Sequence, residues 1–79
     1  MIERKRFAVD DEYSISVVTE QMKDGTWAVV ASIVQQTPTG EKTTDLPVSD
    51  ERFGTEAAAE EAGVRQAREW LDRNMPRAA

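Results

Sequence analysis

The sequence predicts an α+β domain in which a three-stranded antiparallel sheet packs against one C-terminal helix. Three observations predict it. Residues Tyr13 to Met22 and Thr26 to Thr37 are rich in β-branched side chains and alternate in polarity, and an Asp-Gly pair lies between them. From Thr55 onward the apolar spacing changes from every second residue to every third or fourth.

The elements follow in chain order. The first strand spans about 12–22, where Tyr13, Ile15 and Val17 alternate with Ser14 and Ser16. Lys23-Asp24-Gly25 closes a hairpin, since Gly25 accepts the positive φ that such turns need. The second strand, about 26–37, is the longest and most apolar, which places it at the centre of the sheet. Thr37-Pro38-Thr39-Gly40 is a further turn, with proline set at its second position. The third strand, about 41–46, is short and polar, as an exposed edge requires, and Pro47 ends it. Ahead of these, residues 1–11 form either a flexible arm or one with a further short strand at Phe7-Ala8-Val9; both remain open. Residues 48–54 connect sheet to helix, with Phe53 tucking into the core.

The helix spans about 55–75. Thr55 is its N-cap and Glu56 places negative charge in the first turn. Ala59, Gly63, Ala67, Trp70 and Leu71 share one face, with Ala62 at its margin, and the Ala/Gly half of that face lets the helix axis approach the sheet. Glu61–Arg65 and Glu69–Arg73 stand in the favourable i, i+4 order. Asn74 and Pro76 mark the stop, leaving 76–79 as a frayed tail. The chain is one domain, 1–79.

Composition removes whole classes of chemistry. With 79 residues there is room for one modest core, and scaffolds of this size gain support from disulfides, metals or a partner subunit. The chain has neither Cys nor His, which removes disulfides, thiol nucleophiles, imidazole acid–base chemistry and thiolate or imidazole metal sites. Self-association remains as a source of support. A net charge of −5 opposes general binding to nucleic acid. The short basic start is followed at once by Asp10, Asp11 and Glu12 rather than by a signal-peptide apolar stretch, and no run reaches membrane-spanning length. A cytoplasmic, soluble protein is expected.

The candidate sites are few. Asp10-Asp11-Glu12 reads as a solvated turn, because consecutive carboxylates do not converge on one cation. Glu60 and Glu61 are adjacent on the helix and point apart, so they form no acid–base pair. The many Ser and Thr hydroxyls have no positioned base, and the four glycines are spread singly with no phosphate loop. No enzyme, no cofactor and no metal are expected.

The sheet surface is more informative. With Tyr13, Ile15, Val17, Trp27, Val29, Ala31 and Ile33 turned to the helix, the opposite face carries Ser14, Ser16, Val18, Ala28, Val30, Ser32 and Val34. A solvated face should be polar throughout, yet Val18, Ala28, Val30, Ser32 and Val34 make an apolar stripe that fits an interaction surface. Scattered surface valines, or a cover from Phe7–Val9, account for the same pattern.

Phe53-Gly54-Thr55-Glu56-Ala57-Ala58, after three strands, resembles the helix start of the plant ethylene-response-factor type of DNA-binding domain. The plan is also similar to the amino-terminal arm-binding domain of phage integrases and to small uncharacterised bacterial β-β-β-α proteins. That resemblance implies a sheet in the major groove with Arg and Trp on its exposed face. The sheet face opposite the helix offers Ser, Val, Ala and Glu20 instead, without Arg or Lys, while Lys23 and Lys42 lie at the turn and the edge. The leading expectation is therefore a non-enzymatic protein-interaction module, its partner either another protein or a second copy bound through the exposed sheet face. The alternative is nucleic-acid binding through the basic arm (Arg4, Lys5, Arg6) and the helix arginines (Arg65, Arg68).

Overall fold

The computed structural model describes residues 2–74. Four strands, β1 (Ile2–Ala8), β2 (Tyr13–Gln21), β3 (Trp27–Thr37) and β4 (Gly40–Asp45), precede one helix, α1 (Glu56–Asn74). The strands form an antiparallel meander in the order β1-β2-β3-β4. The α+β class, the central position of Trp27–Thr37 and the C-terminal helix agree with the sequence reading. The strand count does not: residues 2–8 are a fourth strand, paired along their length with Ser14–Glu20, rather than an arm. Charge hid it. Glu3, Arg4, Lys5 and Arg6 lack the alternation of a half-buried strand, because β1 is an edge exposed at every residue except Phe7. The expected tail at 76–79 lies outside the described residues.

Local chemistry sets each turn. Between β1 and β2 the Asp10 Oδ1 accepts the backbone N–H groups of Glu12 and Tyr13, each at 2.8 Å, so the acidic triplet is a side-chain-capped turn. At the β2–β3 turn Gly25 adopts φ +87°, and Asp24 Oδ1 accepts the Thr26 N–H at 2.9 Å and its hydroxyl at 2.6 Å. These bonds favour the ionised carboxylate and hold Asp24 below its ordinary pKa of 3.8. At the β3–β4 turn Gly40 takes φ +131° and the Thr37 hydroxyl donates to its carbonyl at 2.7 Å.

The helix lies on β2 and β3. Thr55 caps it, its Oγ1 accepting the Ala58 N–H at 3.1 Å. Ala59, Gly63, Ala67 and Leu71 are buried against Ile15, Val17, Ala31 and Ile33, and Phe7, Tyr13, Val29, Val64 and Trp70 pack around them. The approach is closest at Gly63. A Cβ built there would lie 2.8 Å from Val29 Cγ2 and 3.2 Å from a Val17 methyl. Of the two expected i, i+4 pairs, Glu61–Arg65 closes at 3.2 Å and Glu69–Arg73 does not.

The connection to the helix is tied down. The Leu46 N–H donates to the Ala31 carbonyl, and Leu46 is buried in the core. The chain then returns to β3, where Trp27 and Phe53 exchange backbone hydrogen bonds of 2.8 and 3.0 Å. Phe53 is half-buried, so the expected tuck is realised as a one-residue bridge that covers the edge of β3 beyond β4. From the helix, Gln66 Nε2 donates to the Pro47 carbonyl at 2.9 Å.

Two predictions follow from this geometry. In Gly63→Ala the helix-propensity gain of about 1 kcal/mol is outweighed by an overpacking cost of about 1–3 kcal/mol against stiff valines, so chemical denaturation should show a net loss. A variant as stable as the parent or more so contradicts the close seating of the helix. Asp24 contributes stability that is present above pH 3.8 and lost as pH falls through its depressed folded pKa. Asp24→Ala should therefore flatten the acid limb of stability against pH, and an unchanged limb contradicts the cause assigned to that shift.

Candidate open-face interface

Because successive residues of a strand point to opposite faces, the register fixes what the uncovered face carries. One row across it reads Arg4, Val18, Val30, and the next reads Arg6, Ser16, Ser32, Asp45. Further rows hold Ile2, Glu20 and Ala28 at one end, and Ala8, Ser14, Val34 and Thr43 at the other. The face is apolar along its middle, basic on the β1 edge, and acidic on the β4 edge, where Asp45 and Glu41 stand.

The helix covers the face that carries Ile15, Val17, Ala31 and Ile33, so Val18, Ala28, Val30, Ser32 and Val34 do share the open side. Val30 is 38% exposed although it sits mid-way along the central strand, and Val18, Ala28 and Ser32 are half-buried. Val34 differs, being only 3% exposed. Arg6 on β1 reaches over the two central strands to Glu41 on β4, a 3.3 Å pair that passes across the Ser14–Val34 row. Val34 is thus a covered residue and leaves the candidate surface.

The expectation that this face has no cations is also overturned. It rested on a three-stranded sheet with residues 1–11 as an arm, whereas β1 pairs with β2 and brings Arg4 and Arg6 to the same face. A shallow depression of about 240 Å³ lies there, lined by Arg4, Arg6, Ser16, Val18, Ser32, Val34, Thr43 and Asp45. Ser32 Oγ donates to Asp45 Oδ1 at 2.9 Å, and Gln36 Nε2 donates to Glu41 Oε2 at 2.6 Å. Arg4 makes no hydrogen bond or ion pair among the described residues.

Lys5 points the other way. Its ammonium lies 2.8 Å from Glu60 Oε2 on the helix, and that hydrogen bond and charge raise its pKa above 10.5. Arg65 pairs with Glu61 on the exposed side of the helix, and Arg68 lines a groove with Val9, Leu71 and Asp72. The five candidate nucleic-acid contacts are thus divided between opposite sides of the molecule. The break in alternation along the central strand located the open-face valines; the basic edge of that face was missed because β1 shows no alternation that would mark it as a strand.

A second concavity of about 200 Å³ lies on the helix side among Tyr13, Ile33, Gln35, Lys42, Thr44, Trp70 and Asn74. Burial and the neighbouring Glu12 push the Tyr13 hydroxyl above its ordinary pKa of 10.0, so it stays protonated at neutral pH. No group of three carboxylates able to hold a metal ion occurs among the described residues, and none of their helices is long and apolar enough to cross a membrane.

Three comparisons bear on kinship. No curated protein matches the sequence. No solved structure matches the fold. The sequence pattern of one family, described as a domain of unknown function (DUF6566), matches residues 3–79, which takes in the helix and the four strands save Ile2. The chain belongs to this family of domains of unknown function, DUF6566.

Proposed function

We propose that this chain is a non-enzymatic protein-interaction domain whose docking surface is the open face of its sheet. The supporting observation is Val30, left 38% exposed at the middle of the central strand beside Val18, in a face edged by charges of both signs. An apolar centre within a polar rim is the usual anatomy of a protein interface. The absence of Cys suits work in a reducing cytoplasm.

Nucleic-acid binding, which the resemblance to sheet-reading DNA-binding domains implies, has less support. Arg4 and Arg6 share their face with Glu20, Glu41 and Asp45, and Arg6 is already paired. Arg65 and Arg68 stand on the helix side, so one duplex cannot meet both sets of cations.

A photo-crosslinking residue placed at position 30 should trap protein adducts in cell extract, while one at Arg65 on the outer helix should trap few. Val18→Lys should cut the position-30 adducts by about tenfold or more, equivalent to about 1.4 kcal/mol. Equal adducts from both positions, or none from position 30, contradict the assignment of the docking surface.

A further inference from the structure

Resting on that docking surface, we infer that its partner is a second copy of this chain, packed sheet on sheet about a two-fold axis parallel to the strands. The charge layout selects this arrangement. The β1 edge of the face carries Arg4 and Arg6, and the β4 edge carries Glu41 and Asp45. An axis along the strands, lying between the two faces, sets each β1 over the partner's β4. Both basic edges then meet acidic edges, as an isologous interface requires. Rows are kept in register by the same operation. Val18 of one copy stacks on Val30 of the other and the reverse. Arg6, which keeps Glu41 of its own chain, lies in the row of the partner's Asp45, and Arg4, unpaired among the described residues, stands one row away.

The competing self-arrangements fail on charge. An axis running across the strands would set β1 over β1 and oppose the arginines to their own copies. Edge-to-edge pairing of two β1 strands about Lys5 would place Arg4 against Arg6 in both copies.

The size is adequate for a weak dimer. Four strands about 4.8 Å apart, with the nine residues of β2 at about 3.4 Å each setting the length, make a face of roughly 19 by 30 Å. Two such faces bury on the order of 1,100 Å², near the lower bound for a specific interface. The aligned packing of sheets in β-sandwiches provides the geometry, with about 10 Å between layers.

Charge reversal tests both the dimer and its axis, using variants that break no ion pair within the chain. Among the described residues Arg4 has no internal partner, and Asp45 accepts only the Ser32 hydroxyl. Light scattering of the full chain from about 1 µM to about 1 mM should show a monomer–dimer equilibrium. R4E alone and D45K alone should each raise the dissociation constant about tenfold or more, because each opposes like charges twice. An equimolar mixture of R4E and D45K should recover dimerisation in part, since in the mixed pair one contact keeps its parental charges and in the other the introduced lysine gains the introduced glutamate beside Arg6. Far-UV circular dichroism confirms that each variant is folded, and the parent series needs no variant at all. A parent chain that stays monomeric throughout overturns the inference, and position-30 crosslinks to other proteins then decide the docking surface on their own. A dimer whose R4E and D45K forms do not recover on mixing overturns the two-fold arrangement.

Discussion

The helix sits so close to the sheet at Gly63 that no Cβ fits between it and Val17 and Val29, and the rest of the structure depends on this contact. Ala59, Gly63 and Ala67 give the helix a nearly flat inner face, so it settles onto the two central strands rather than standing off on large side chains. Burying Ile15, Val17 and Ile33 is worth about 1.5–3 kcal/mol each by transfer, a large share of what so small a chain can gain. With one helix there is cover for one face only. The opposite face of a four-stranded sheet is then left open by topology, and its central valines with it.

An open sheet has edges as well as a face, and the two edges are protected differently. The β4 side is short, and the returning chain at Phe53 takes over the hydrogen bonding of β3 where β4 stops. The β1 side is free but carries three cations in a row, which discourages pairing with another copy of itself. The same cations do different work on the two faces. Lys5 latches β1 to the helix through Glu60, while Arg4 and Arg6 rim the open face. Strand alternation thus divides one basic run into one residue held by the helix and two on the open face.

Most of the fold was legible in the sequence because burial leaves a periodic trace. Ile15, Val17, Ala31 and Ile33 alternate, Ala59, Gly63, Ala67 and Leu71 recur at helical spacing, and Asp24-Gly25 and Thr55 announce a turn and a cap. β1 left no such trace, since an exposed edge strand is selected for charge rather than for alternation, and only Phe7 reports its inward side. The site was half legible for the same reason. Val18, Ala28 and Val30 stand out against the expected polarity, but their relation to Arg4, Arg6 and Asp45 is a matter of cross-strand register that no local pattern records. Val34 shows the limit of alternation: it lies on the predicted face and is nonetheless covered by a long-range pair, Arg6–Glu41. Thr19 and Leu46, both buried, were likewise invisible to periodicity, one being a hydroxyl in a core position and the other a lone residue past a strand end.

The account turns on residues 2–8 being a strand, because only pairing with β2 seats Arg4 and Arg6 on the open face. Nuclear Overhauser contacts across β1 and β2 test this directly. The account predicts cross-strand contacts between Arg4 and Val18 and between Phe7 and Ile15, with extended-strand shifts through Ile2–Ala8. Random-coil shifts for these residues without cross-strand contacts would contradict it, leaving a basic arm beside a three-stranded sheet whose open face has no cationic edge.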